Sequence, residues 1–304
     1  MARGKFQLGE NRAETFTAAV QPASGHRLVR LASGVYSVHS LAERETFHPV
    51  IGPVAEAEAL YVRQLGLRER VRAHAGEFVI WDVGLGAAAN ALTVLRATHD
   101  LPCAIRLVSF DRTLEPLRFG LAHAAELGYF AGYEQAAREL AAHGRTTVAE
   151  RAQPAEWELH LADFPELLRQ PAAGRLPKPY AIMFDAFSPA RNPEMWTLPL
   201  FTRLFRQLDP GRPCALPTYS RSTMLRVSLL VAGFYVGAGH ASGEKEETTI
   251  AANTLALVAQ PLDRRWLARA RRSTSAEPLR EAVYRQAPLS AETWDRLLAH
   301  PQFR

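Results

Sequence analysis

Short apolar runs alternate with longer amphipathic stretches from about Glu77 to Gly233, a rhythm that predicts strands each followed by a helix. Phe78–Val83 reads as a buried strand and Ala87–Thr98 as an Ala/Leu-rich helix. Ala104–Asp111 is the next strand, followed by a helix through Leu127 and a further helical stretch over Tyr133–Ala142. Trp157–Asp163 predicts a third strand, with a short helix at Phe164–Arg169. Tyr180–Ala186 is the fourth, and Asp209-Pro210-Gly211 ends the helix after it, Trp196–Leu208. Cys214–Tyr219 is the fifth, and its helix, Ser222–Ala232, closes on Gly233. The order then switches, because Phe234–Ala238 and Thr254–Gln260 read as two strands joined without a helix. Upstream, His26–Leu31 and Val35–His39 flank Ala32-Ser33-Gly34 as a hairpin. Val54–Leu65 follows Gly52-Pro53 as a helix. Residues 1–25 show no period, and Pro261–Arg304 is helical in character.

Strands alternating with helices imply a parallel sheet with right-handed crossovers. Five such units closed by a hairpin pair give an α/β fold with a seven-stranded sheet whose last strand runs antiparallel. This Rossmann-like arrangement resembles the class I S-adenosylmethionine-dependent methyltransferases. The expected division is an N-terminal extension over 1–70 with a β-hairpin and entry helix, a methyltransferase domain over 71–262, and a helical tail over 263–304.

Composition narrows the class only a little. The chain has 304 residues, 47% hydrophobic and 22% charged, ordinary values for a globular protein. No apolar run approaches the roughly 18 residues that cross a bilayer. The N-terminal sequence lacks the apolar core of a signal peptide, so no membrane and a cytoplasmic location are expected. Cys103 and Cys214 alone indicate neither a disulfide framework nor a metal site. The net charge of +5 is compatible with nucleic acid and equally with an ordinary enzyme surface.

The chemistry gathers where strands end. Asp82-Val-Gly84-Leu-Gly86-Ala-Ala-Ala-Asn90 joins the first strand to its helix, and glycines there let backbone turn sharply and approach a ligand. The third glycine of a dinucleotide fingerprint is missing, which favours a methyl donor over NAD. Asp111 ends the second strand, where a carboxylate can accept from both ribose hydroxyls. Asp163 ends the third and can accept from an adenine amine, with Phe164 stacking on the base. Asp185 ends the fourth and opens a loop rich in Pro, Asn and aromatic residues. His48 stands out in an irregular segment, but a lone histidine is more often structural and no catalytic role is assigned to it. Arg264, Arg265, Arg269, Arg271 and Arg272 read as a solvated helix face. No Ser/His/Asp order, H-E-x-x-H or Walker loop supports a hydrolase.

Phe184-Asp185-Ala-Phe187-Ser-Pro189-Ala-Arg-Asn192-Pro-Glu-Met-Trp196 resembles the signature of the MnmC-type tRNA methyltransferase domain. Phe47-His48-Pro-Val-Ile-Gly52, with Glu56-Ala-Glu58-Ala-Leu-Tyr61, is similar to that family's entry segment, and Gly84–Asn90 matches its glycine loop imperfectly. The resemblance implies S-adenosylmethionine as methyl donor and, as acceptor, 5-aminomethyl(-2-thio)uridine at the tRNA wobble position. It implies donor binding by Asp82, Gly84, Gly86, Asn90, Asp111, Asp163 and Phe164. Asp185 would accept the amine's proton or orient its lone pair. Phe187, Pro189, Asn192, Trp196, Tyr219 and Lys245 would hold the flipped uridine, the aromatic ones by stacking. Many family members carry a fused FAD-dependent oxidase, so a standalone methyltransferase served by a separate enzyme that makes the amine is expected, with no metal. The family's loop before the last strand is basic, whereas Gly243-Glu-Lys245-Glu-Glu-Thr248 is acidic. That departure keeps a small-molecule amine acceptor open, and Ala88 in the glycine loop keeps open a noncatalytic scaffold of the same fold.

Overall fold

The computed structural model describes residues 25–149, 151–152, 154–241 and 247–304. An antiparallel sheet comes first: β1 (His26–Arg30), β2 (Tyr36–Ser40) and a short β3 (Glu45–Thr46). It leads into α1 (Pro53–Ala57), which continues as a π-helical turn over Glu58–Arg63, and then α2 (Leu67–Arg72). The main sheet follows, with β4 (Glu77–Val83), β5 (Ala104–Asp111), β6 (Arg145–Val148) and β7 (Ala155–Leu161) in its first half. Its second half is β8 (Ala181–Phe184), β9 (Ala215–Thr218), β10 (Tyr235–Gly239) and β11 (Thr248–Ala252). Between the first strands lie α3 (Ala89–Ala97), α4 (Glu115–Ala122), α5 (Ala124–Leu127) and α6 (Glu134–His143). The remaining helices are α7 (Phe164–Leu167), α8 (Leu198–Gln207), α9 (Thr223–Ala232), α10 (Arg264–Arg271) and α11 (Ala291–Ala299).

The spatial order is β10-β11-β9-β8-β4-β5-β7-β6. Strands β9, β8, β4, β5 and β7 are parallel, and β11 runs antiparallel between β9 and β10. The chain therefore winds one way from β4 and then the other way from β8, so β4 and β8 flank the switch point where open α/β sheets bind ligands. Alternation along β4 sends Val79, Trp81 and Val83 into one core and Phe78 and Ile80 into the other, which burial on both faces requires.

Three elements differ from the sequence reading. An eighth strand, β6, pairs antiparallel with the edge of β7. The strand expected at Thr254–Gln260 lies at Thr248–Ala252 instead, and Leu255–Leu257 forms a single 3₁₀ turn. Gln260 and Leu262 still bond β10 on its outer edge, but Pro261 between them has no N–H to extend a ladder. Third, β7 stops at Leu161, so Asp163 lies beyond the strand and caps α7, accepting from the Glu166 N–H at 2.9 Å.

Asp82 corrects a further expectation: it is fully buried inside the sheet and not on a ligand-facing surface. Its Oδ2 accepts from Ser109 Oγ at 2.8 Å, and Ser109 in turn accepts from Trp157 Nε1 at 2.9 Å. Burial pushes its carboxyl up to about 7, against the lowering effect of the Ser109 bond. The folded protein thus keeps this proton to about pH 7, while the unfolded chain loses it near the ordinary value of 3.8. Stability contributed by the protonated form is full below that lower value and falls as pH rises through the window, by up to about 1.4 kcal/mol per unit. Asp82→Asn is expected to shrink the stability difference between pH 5 and pH 8 by at least about 1 kcal/mol in urea unfolding. An unchanged difference would contradict a proton held at Asp82.

Candidate active site

Where β4, β5, β7 and β8 end, their loops and the N-terminal sheet enclose a cavity of about 600 Å³, within the ordinary range for a small-ligand site. One end is built on the turn after β4. Gly84 has φ of 94°, and a Cβ there would stand 2.5 Å from the Asp185 carbonyl oxygen. Only glycine lets the turns after β4 and β8 touch in this way. Gly86, at φ 53°, lies against the Phe47 ring and donates its N–H to Asp111 Oδ2 at 2.9 Å. Ala88 takes φ 64° at the start of α3, a left-handed conformation that costs a non-glycine residue about 1–2 kcal/mol. The other Asp111 oxygen accepts from the Thr113 N–H at 3.2 Å. Burial raises the Asp111 carboxyl, and the hydrogen bonds from Gly86 and Thr113 hold it back. Asp163 and Phe164 line the same end of the cavity.

The other end is built on Asp185 and is rich in carboxylates. Asp185 Oδ2 accepts from Asn90 Nδ2 at 2.8 Å and lies 3.5 Å from His48 Nε2. His48 Nδ1 is 3.7 Å from Oε1 of Glu56, which is buried in α1. Tyr219 donates its hydroxyl to the Ala186 carbonyl at 3.0 Å, and Tyr61 approaches the Phe184 carbonyl at 3.4 Å. Burial first, and then the charge on Asp185, hold both phenols well above their ordinary value, so both remain neutral. Glu45 on β3 accepts from the Ser188 N–H at 3.0 Å and from its hydroxyl, tying the N-terminal sheet to the loop after β8. Phe47 packs edge-on against Phe187 at 5.5 Å between ring centroids. A cationic group entering here meets Asp185, Glu56 and Glu45, and Asp185 can take a proton from it.

Among the expected site residues, Gly84, Gly86, Asn90, Asp111, Asp163, Phe164, Asp185, Phe187, Asn192 and Tyr219 all line the cavity. Trp196 does not: it is fully buried and donates Nε1 to the Phe187 carbonyl at 2.7 Å, bracing that loop from behind. Its ring is therefore unavailable for stacking on a bound base. Pro189 is also off the cavity wall, as is Asp82. Lys245 lies outside the described residues. Sequence reasoning passed over His48, Glu45 and the wall formed by the N-terminal sheet. The available signal was the irregular Phe47–Gly52 segment, where His48 itself adopts φ 47°. Among the described residues, no group of His, Cys, Asp and Glu is gathered to hold a metal ion, and no helix is long and apolar enough to cross a membrane.

Comparisons with known proteins agree with this arrangement. A family model described as S-adenosyl-L-methionine-dependent methyltransferase matches residues 130–254. The tRNA 5-methylaminomethyl-2-thiouridine biosynthesis bifunctional protein MnmC of Methylibium petroleiphilum is 30% identical over 227 residues, 73% of this chain and 34% of that protein. The protein of the same name from Aeromonas hydrophila is 31% identical over 209 residues, 64% of this chain and 30% of its own length. The chain thus spans about a third of the length of these curated relatives. The crystal structure of MNMC2 from Aquifex aeolicus superposes with a TM-score of 0.66 at 23% identity, covering 90% of this chain and 84% of that one.

The two glycine-loop positions are expected to respond differently. Gly84→Ala places a methyl group against the Asp185 carbonyl and is expected to weaken S-adenosylmethionine binding at least about tenfold, by calorimetry. Ala88→Gly relieves the left-handed strain and is expected to leave that affinity within about threefold. Equal affinities for native protein and Gly84→Ala would contradict a donor site on this turn.

Proposed function

We propose that the chain carries an S-adenosylmethionine-dependent methyltransferase domain of the MnmC type and that it methylates the primary amine of 5-aminomethyl(-2-thio)uridine at the tRNA wobble position. The observation that carries this reading is the contact of the Asp185 turn with the Gly84 turn, which sets an acidic pocket directly beside the donor loop. The cavity fits the donor: two glycines remove side chains from the β4 turn, and Asp111 presents a carboxylate where a ribose needs acceptors. Asp163 and Phe164 serve the adenine, Asp163 with the acceptor capacity its capping bond leaves over.

When bound, S-adenosylmethionine supplies an electrophilic methyl group on a sulfonium. An alkylammonium has no lone pair, so Asp185 first accepts one of its protons. The amine lone pair then forms the N–C bond while the C–S bond breaks and its electron pair passes to sulfur, leaving a secondary ammonium and a neutral thioether. Asn90 fixes one Asp185 oxygen, and His48 stands beside the same atom. Glu45 and Glu56 favour the cationic forms of substrate and product. Phe187, Asn192 and Tyr219 frame the acceptor, and alignment of donor with acceptor supplies much of the remaining acceleration. The reaction requires an aminomethyl group already formed at another active site.

The acidic Gly243–Thr248 sequence favours a second reading, in which the acceptor is a small-molecule amine. Mass spectrometry of nucleosides separates the two. Undermodified tRNA carrying the aminomethyl uridine is expected to gain one methyl group with native protein and S-adenosylmethionine. Asp185→Asn is expected to lower the rate at least about 100-fold with donor affinity preserved. His48→Gln is expected to lower the rate about tenfold or more and to displace the pH–rate profile. Donor binding without any methylation of this tRNA would contradict the proposed acceptor.

A further inference from the structure

The proposed acceptor is a large polyanion, while the cavity wall around Asp185 is acidic, so affinity for the phosphate backbone must come from elsewhere. We propose that the arginine face of α10 is the surface on which the phosphodiester backbone of RNA docks, an inference that rests on the tRNA reading above. Helix α10 is amphipathic: Trp266, Leu267 and Ala270 are buried, while Arg264, Arg265, Arg269, Arg271 and Arg272 at and just beyond its end are exposed. Its first turn carries no acid, and Asp263 is committed as the cap, accepting from the Trp266 N–H at 2.8 Å. Among the described residues, none of the five arginines lies in a salt bridge.

Both ends of the helix are fixed to the fold. Its first residue, Arg264, donates to the Phe303 carbonyl, next to Gln302, which bonds Val236 near the start of β10. Its last, Arg271, donates to the Leu289 carbonyl and lies over the Trp294 ring at the opening turn of α11. Burial, opposed by Glu247, depresses the ionisation of the Arg226 guanidinium on α9, and the charges of Arg221 and Arg269 add to that lowering. Arg226 bonds Thr249 Oγ1 and the Thr248 carbonyl, and those residues face Thr218 and Gly239 at the carboxyl ends of β9 and β10. Arg221, itself exposed, follows the cavity residue Tyr219 by two positions and adds a further positive charge beside the cavity. Arg226 itself is satisfied by Glu247 at 3.0 Å and is not counted among the docking charges.

Arg264 and Arg271 brace the fold, whereas Arg265, Arg269 and Arg272 make no side-chain hydrogen bond among the described residues, which makes these three the ones to change. The test is tRNA binding to the full chain across a salt titration. Native protein is compared with Arg265→Glu/Arg269→Glu/Arg272→Glu and with a charge-matched control, Arg138→Glu/Arg145→Glu/Arg206→Glu, at exposed positions on other elements. Loss of three phosphate contacts is expected to flatten the slope of log affinity against log salt by about two units, with affinity near 0.1 M salt falling at least about tenfold. The control is expected to change the slope by less than about half a unit, and calorimetry should show the donor bound equally by all three proteins. An unchanged slope in the α10 variant, or an equal loss in the control, overturns the docking surface and leaves the tRNA reading in place. Absence of salt-dependent tRNA binding by native protein overturns both.

Discussion

The architecture of the site depends on one close approach, that of the Gly84 turn to the Asp185 carbonyl. Strands β4 and β8 are neighbours in the sheet, and Gly84 and Asp185 N–H groups bond the Phe110 and Val83 carbonyls, so both turns are pinned to strand ends. Because the chain reverses its winding between these two strands, their loops diverge onto opposite faces and leave a crevice. Glycine at position 84 lets the crevice narrow until the glycine-rich loop after β4 and the loop bearing Asp185 share a boundary. Proximity of that kind is what a displacement reaction at a methyl group requires.

The proposed methylation of an amine also needs an environment in which that amine can be held as a cation and released as a base. Glu45, Glu56 and Asp185 supply negative charge, while Asn90 bonds the Asp185 carboxylate and His48 stands beside it. Three of these five residues come from the N-terminal extension, which is thus part of the site and more than an appendage. Glu45 also fastens that extension to Ser188, so the roof of the cavity and the loop after β8 are held to each other.

Much of this was legible along the chain because buried parallel strands are continuous apolar runs and because ligands gather at their carboxyl ends. Asp111, Asp163 and Asp185 were found by that logic, and each lines the cavity. Asp82 was misread for a physical reason: one residue of register inside a strand turns a side chain from the crevice into the interior. Trp196 was misread because sequence gives an aromatic residue near a site without telling whether its ring faces the ligand or supports the loop. The position of β11 was missed because Leu255, Leu257 and Val258 carry a strand-like pattern, whereas the true strand is rich in small and hydroxyl residues. Central placement between β9 and β10 buries that segment completely, and local propensity does not report such placement. His48 as a neighbour of Asp185, and Glu45 as a partner of Ser188, were illegible because more than 100 positions of chain separate each pair and no periodicity links them.

A crystal structure of the chain with S-adenosylmethionine bound tests the central claim most directly. The ribose is expected on Asp111, the donor against the Gly84–Gly86 turn, and the sulfonium methyl directed into the space bounded by Asp185, His48 and Tyr219. A donor bound with its methyl group turned away from Asp185, or seated outside this cavity, would contradict it.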